Sequence, residues 1–311
     1  MDRLQVVGLG MAVLDVLIRL KEMPTWEHGA RLSALRFDGG GPVGTACVAA
    51  ARLGARVGFV GTAGNDESAE LKLRSFVRDG VDLSRLVVHN ESENQVVLVC
   101  VDECTGERTF CGLQSFGHSP LLPEELDRDY ITSADYLHLD GSHLEAAMQA
   151  ARWAHEAGKQ VMLDAGKTEG SEVHPRFRPL IGEVDILIAG SGFVPALTGV
   201  ADLWEAGRAA LAFGPRIVVQ TEGADGSYTV TADEQFHTPI FPVQVLDTTG
   251  AGDVFHGAYL VGLLHGWDLR RVAAFATAVS AIKCTRLGGR IGIPRCPEVI
   301  AFLRERGIEI E

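Results

Sequence analysis

No segment of this chain approaches the ~18 uncharged apolar residues that a membrane span requires. The N-terminal run MDRLQVVGLGMAVLDVLIRL is broken by Asp15 and Arg19 and lacks the basic region that opens a secretory signal. Neither a membrane nor export is therefore expected. Positive charge is scarce: 28 Lys and Arg face 41 Asp and Glu, a formal net charge of −13. Phosphate backbones repel so acidic a chain, so nucleic acid is excluded as an expected partner. The six cysteines (Cys47, Cys100, Cys104, Cys111, Cys284 and Cys296) form no CxxC pair. The three that cluster, Cys100, Cys104 and Cys111, lack an HxxxH partner and lie in strand-like segments. Neither a zinc site nor a disulfide framework is expected, and the compartment implied is the reducing cytoplasm. No GxxxxGK[ST] segment occurs, which rules out a P-loop.

Apolar residues are abundant, at 46% of 311, enough for a full core in one large α/β domain or one with a small appendage. The first strand, about 4–9, ends at Gly8-Leu9-Gly10, where a dinucleotide loop would begin, but Val13 stands at the third glycine position and 13–20 reads as another strand. Residues 31–38 are also extended. Gly39-Gly40-Gly41-Pro42 then breaks the chain ahead of a helix over about 43–53, a strand at 57–61 and a helix over 67–79. Two β-rich runs, 95–101 and 107–113, are joined by a hairpin-like Asp102–Gly106 turn and, with 13–20 and 31–38, predict a small separate sheet. From 134 onward strands and helices alternate, which predicts a parallel sheet covered on both faces. A β-rich stretch at 226–247 precedes helices near 253–265, 269–284 and 297–306.

The segment richest in chemistry is Asp247-Thr248-Thr249-Gly250-Ala251-Gly252-Asp253, placed between the extended run FPVQVL and an apolar helix expected from Val254. Glycines let backbone approach a ligand, and a helix N-terminus presents unpaired N–H groups and positive dipole charge. The N–H groups of Gly250, Ala251 and Gly252 would form an anion hole, with Asp253 as a base at its mouth. Taken alone, Asp253 could equally be a helix cap.

DTTGAGD followed by VFHGAYLVGLL resembles the C-terminal signature of the PfkB/ribokinase family of carbohydrate kinases, and GGGPVGTACVAAARLGARVGFVGTAGND (39–66) resembles the N-terminal one. Thr221–Gly226 is similar to the family's phosphate-contacting loop, and Leu197-Thr198-Gly199 and Lys283–Gly289 are further echoes in order. The resemblance spans nearly the whole chain and places it closest to ketohexokinase-like and sulfofructose-kinase-like members. It implies a ribokinase-like three-layer αβα core with a mostly parallel sheet (about 1–10, 39–93 and 118–311) and a small β-sheet lid (about 11–38 and 94–117). It further implies transfer of the γ-phosphoryl of ATP to a hydroxyl of a small sugar-like substrate, with Mg2+; the exposed edges of the lid strands invite pairing between two subunits, so a cytoplasmic homodimer through the lid is expected.

By the same resemblance ATP lies between Thr221, Gly223 and Gly226 on one side and Lys283 to Gly288 on the other. Asp15, Gly39, Gly40, Gly41 and Arg108 meet the acceptor, and Asp247 and Thr249 match a monovalent-cation site for potassium. Each has a plainer alternative: Asp15 on a solvent face, the glycines as a turn, Arg108 as a solvated strand charge. His138, Asp140, His143 and Asp164 lie at strand ends, where ligands bind in such folds, and His256 reads as a core residue. The chain departs from the family where an N-x-x-E motif would stand, since Gly190 and Phe193 occupy its ends; Asp164 or Glu222 is the carboxylate that would compensate. The sugar-site asparagines are also missing, and neither a lysine near Gly29 nor an arginine near Ser142 answers to a sulfonate. A ketose, sugar phosphate or sugar acid fits equally. The alternatives are a nucleoside kinase of the same fold and a catalytically silent nucleotide- or sugar-binding regulator.

Overall fold

The computed structural model describes residues 3–310 except 116, 169 and 171, so the extreme ends of the expected core, 1–2 and 311, lie outside the described residues. Fourteen strands are defined among them: β1 (Val6–Leu9), β2 (Val13–Leu20), β3 (Leu32–Gly40), β4 (Val57–Val60), β5 (Thr62–Ala63), β6 (Val87–Val88), β7 (Val96–Asp102), β8 (Arg108–Gly112), β9 (Tyr136–Leu139), β10 (Gln160–Asp164), β11 (Ile186–Gly190), β12 (Ile217–Thr221), β13 (Ser227–Val230) and β14 (Gln235–Thr238). Eight form one sheet in the order β14-β13-β12-β11-β10-β9-β1-β4. It is parallel from β4 to β12, and β13 and β14 add an antiparallel edge. Runs such as VVGL, VGFV and ILIAG are buried almost throughout because helices cover both faces. One apolar layer packs the Pro42–Arg52, Ala251–Leu264, Leu269–Cys284 and Cys296–Arg304 helices on one face. The other packs Leu144–Glu156 and Leu203–Leu211 on the opposite face.

Aspartates begin several helices where the pattern changes period: Asp66, Asp202 and Asp268 each accept an N–H three residues on. The expected small sheet is present, in the order β3-β2-β7-β8. Its hairpin between β7 and β8 closes through Gly106 at φ 74, with the Gly106 N–H on Asp102 O at 3.0 Å. The paired short strands β5 and β6 were not foreseen.

Two expectations need correction. The helix after the GAG segment begins at Ala251, not after Asp253, because Gly250 adopts φ 72 and turns the chain into the helix earlier; Asp253 thus sits within the first turn. The 226–247 stretch is extended only as far as Thr238, since Pro239 and Pro242 remove N–H donors from any further ladder. The parallel strands β1, β10, β11 and β12 all point their C-terminal ends at the same edge of the sheet, where Asp164, Gly190 and Thr221 terminate them. That edge faces the start of the Ala251–Leu264 helix and the small sheet.

Candidate active site

Gly250 is the N-cap of the Ala251–Leu264 helix, and the N–H groups of Gly250, Gly252 and Asp253 have no acceptor among the described residues. Ala251 behaves otherwise than the sequence suggested: its N–H turns back to Thr248 O at 3.2 Å. The hole is therefore lined by Gly250, Gly252 and the base residue's own N–H. A Cβ at Gly252 would meet nothing within 4 Å, so the space above it is open. The Asp253 carboxyl is pushed up to about 7, first by burial and then by the neighbouring Asp164, while His256 and Arg290 pull it down. A carboxyl poised near neutrality beside an anion hole can take a proton from a hydroxyl that attacks a phosphoryl group held there.

Asp15 stands on β2, half-buried, and its carboxylate has no hydrogen-bond partner among the described residues. Burial pushes it up to about 7, with Arg290 opposing and Asp38 and Asp247 adding. It is thus a half-buried acceptor without a protein donor, as a residue awaiting a substrate hydroxyl would be. The three glycines are packed closely by the protein itself. A Cβ at Gly40 would overlap the Asp15 carboxylate, and one at Gly39 or Gly44 would overlap the Arg290 guanidinium; Gly41 has φ 86 and precedes Pro42. Gly39, Gly40 and Gly44 make room for side chains of the protein, and Gly41 for the Met11 backbone. Arg108, exposed on β8, places Nη1 2.5 Å from Thr248 Oγ1 and so tethers the small sheet to the mouth of the anion hole.

A cavity of about 340 Å³ adjoins the hole, lined by Thr221, Gly223, Gly226, Phe255, Ala251 and Gly252 among others. Its walls are largely apolar at Ile240, Phe241 and Val243, and its polar end is the GAG turn. Thr221, Gly223 and Gly226 are thereby gathered as expected. Lys283 and Gly288 are not. Lys283 is 0% exposed and its ammonium donates to Asp247 O at 2.9 Å, while the buried Gly288 gives its N–H to Asp247 Oδ2 at 2.8 Å. Both stitch the C-terminal loop to the DTTGAGD segment. Asp247 Oδ1 meanwhile accepts the Thr249 N–H at 2.8 Å. Burial alone would raise the Asp247 carboxyl, but Lys283 and these N–H groups outweigh it and hold it below the usual carboxylate range. Each Asp247 oxygen thus accepts one hydrogen bond, while Thr249 Oγ1 is buried with no partner among the described residues.

Of the other strand-end groups, His138 is sealed in the core. His143 Nδ1 accepts the Leu121 N–H, and Asp140 is spent on the N–H groups of Met11, Val43 and Ser142. Asp164 alone faces Asp253, through His256. At Gly190, one end of the missing N-x-x-E, a Cβ would strike the Gly166–Lys167 backbone. Sequence reasoning missed Arg290, which is wholly buried between Asp38, Asp15 and Asp253. Its only signal was an arginine set among glycines and apolar residues in LGGRIGIP.

Comparison with known proteins shows the family. The chain is 30% identical over 302 residues to an ATP-dependent ribose-1-phosphate kinase of Halopiger xanaduensis, covering 97% of this chain and 99% of that one. It is 28% identical to a 5-dehydro-2-deoxygluconokinase of Shouchella clausii, covering 97% and 96%. The fold superposes on ribokinase of Thermotoga maritima with TM-score 0.83 at 24% identity, covering 97% and 99%. It superposes on Arabidopsis thaliana ribokinase complexed with ribose and ATP with TM-score 0.84 at 23% identity, again covering 97% and 99%. With residues 4–296 matching the family model as well, the chain belongs to the pfkB family of carbohydrate kinases.

Proposed function

We propose that the protein moves the γ-phosphoryl of ATP to a hydroxyl of an anionic sugar derivative, a sugar phosphate or sugar acid, with Asp253 as general base. The observation that carries this reading is the meeting, at the start of the Ala251–Leu264 helix, of unpaired N–H groups at Gly250 and Gly252 with a carboxyl pushed up to about 7, where Gly252 also lines the 340 Å³ cavity. ATP occupies the cavity, its base against Ile240, Phe241 and Val243 and its phosphates toward the GAG turn. The hydroxyl oxygen of the acceptor forms the new bond to Pγ as the bond to the leaving β,γ-bridging oxygen breaks; its proton passes to Asp253 and the electron pair leaves with ADP. Helix-terminal N–H groups stabilise the charge on the moving phosphoryl. Asp15 accepts from another acceptor hydroxyl, and Arg108 closes the small sheet as a lid over the hole. The anionic acceptor is favoured because Arg108 brings an exposed guanidinium there, and because two relatives are named for a sugar phosphate and a sugar acid.

Magnesium arrives with the nucleotide. The described residues contain no cluster of three metal-ligating side chains. Asp164 is already taken, but Glu222, beside Thr221 and Gly223, has a buried Oε1 with no partner. One free carboxylate suits an ion held mainly by phosphates and water, and that ion would neutralise phosphate charge.

The test is a coupled ADP-release screen with MgATP against sugar phosphates, sugar acids, ketoses, aldoses and nucleosides. Turnover of a sugar phosphate or sugar acid is expected. Turnover confined to nucleosides would replace this reading with a nucleoside kinase, and no turnover, with ATP still raising Tm, with a binding-only protein.

The lid also supports a homodimer. Its edge strands β3 and β8 expose Leu32, Leu35, Phe37 and Phe110, apolar groups on unpaired backbone edges. Light scattering at micromolar concentration should give twice the 33.3 kDa chain mass; a monomer there would remove the proposal.

A further inference from the structure

One turn along the helix from Asp253, His256 is buried, and its Nδ1 lies 2.9 Å from Asp164 Oδ2 at the end of β10. With the ring protonated, the contact is an ion pair. Asp164 is fixed in turn by the Gly166 N–H, which donates to Oδ1 at 2.8 Å. His138 from β9 packs edge-on to the His256 ring at 5.8 Å. Neither Asp164 nor His256 lines the nucleotide cavity. Two opposite charges sealed from water are costly to maintain, and apolar side chains of similar volume would pack the same space as well or better. Their place beside the base supplies a reason for their being charged.

The charged groups that face Asp253 come from four elements: Asp164 from β10, His256 from its own helix, Asp15 from β2 and Arg290 from the C-terminal loop. Lys283 adds a more distant positive charge. Two carboxylates this close resist ionising together. A cation on Asp164 removes that conflict.

We propose that His256 is a positioning residue for phosphoryl transfer: clamped on Asp164, its imidazolium cancels that carboxylate's charge and keeps Asp253 in the ionised form that receives the acceptor's proton. This rests on the reading of Asp253 as base. His256 itself neither gives nor takes the proton. Its electrostatics agree with the geometry. Burial disfavours the charged ring, but Asp164, seconded by Asp253, outweighs it and raises the His256 pKa. Burial likewise works against the Asp164 anion, yet His256 holds it below the usual range. His138, pushed down to about 3 by burial and by His256, stays neutral. Without the His256 charge, burial and Asp164 act on Asp253 opposed mainly by Arg290, and its ionisation moves to higher pH.

The test combines two measurements. In the ligand-free protein, NMR titration of the His256 ring should find it protonated well above the ordinary histidine range, and Asp164→Asn should bring that value down. A ring already neutral at pH 7 in the unsubstituted protein overturns the proposal without reference to activity. Second, pH profiles of kcat are compared for the unsubstituted protein, His256→Asn and the double variant His256→Asn/Asp164→Asn. His256→Asn should displace the acid limb upward by about one unit, a roughly tenfold loss below pH 7 that shrinks as pH rises, with KM for ATP little changed. The double variant should move the limb back. A loss independent of pH, or an unmoved limb, marks His256 as a packing residue and overturns the proposal. If His256→Asn does not fold, His256→Gln serves, and the ring titration stands regardless. Retained activity in Asp253→Asn would instead overturn the base assignment itself.

Discussion

Asp253→Asn is expected to lower kcat by roughly 10²–10⁴-fold, the range a positioned general base contributes, while ATP continues to raise Tm. Asn keeps the shape of the side chain at the helix start and the backbone N–H groups of the anion hole, so nucleotide binding has no reason to fail. It removes only the group that accepts the proton. In the unsubstituted protein kcat should rise with pH through about 7, because Asp253 must be ionised to act and burial and Asp164 have moved its pKa up to that value. Stability carries the opposite sign. A carboxyl whose folded pKa exceeds its unfolded value lends stability below the unfolded value of 3.8, and that stability is lost as pH rises through about 7. The Asp253→Asn protein should therefore match the unsubstituted protein in acid and exceed it in Tm above pH 7. A variant that is both active and no more stable at pH 8 would remove Asp253 from the mechanism.

Arg290→Met should destabilise the fold by about 3–5 kcal/mol, the cost of removing a buried charge on which neighbouring groups depend. The guanidinium is fully buried; its Nε donates to Thr45 Oγ1 at 3.3 Å, Nη1 to Ser75 Oγ at 2.9 Å, and Nη2 to Gly40 O. It lies 4.3 Å from the centre of the Phe76 ring. One side chain thus joins β3, the Pro42–Arg52 helix, the Glu67–Arg78 helix and the C-terminal loop, with Asp38 accepting the Arg290 and Ile291 N–H groups. Methionine fills part of the volume but leaves Gly40 O, Thr45 and Ser75 unsatisfied and removes a positive charge beside Asp15, Asp38 and Asp253. Lysine should not rescue it, since a single ammonium cannot replace a planar fork that reaches three acceptors in different directions. Urea unfolding measures the effect. A loss under about 1 kcal/mol would mean that water enters and solvates the site, making Arg290 a surface-like charge.

Arg290 also shows where sequence reading stops. The glycines at 39 to 44 were legible as places where something approaches the backbone closely, yet what approaches at Gly39 and Gly44 is a side chain some 250 residues away, from Arg290 Nη2 to Gly40 O. Lys283 failed for the same reason. Its position in a tail resembling a nucleotide loop was readable, but a long side chain on a helix can turn inward or outward, and burial against Asp247 O turned it inward. Ala251 was misjudged more locally, since whether an N–H at a helix start is free depends on the turn before it, and Gly250 at φ 72 directs that N–H to Thr248 O.

By itself the sequence determined the layered α/β plan, the small separate sheet and the family, and it singled out Asp253 as the candidate base. Strand and helix periods are set by neighbours in the chain, and backbone N–H groups at a glycine-rich helix start need no distant partner to be displayed. Only the tertiary structure decided which charges surround that base: Asp164 and His256 from β10 and the helix, Arg290 from the C-terminal loop, Asp15 from the lid. Electrostatic energy depends on distance in space and on exclusion of water, and neither is written in the spacing of residues along the chain.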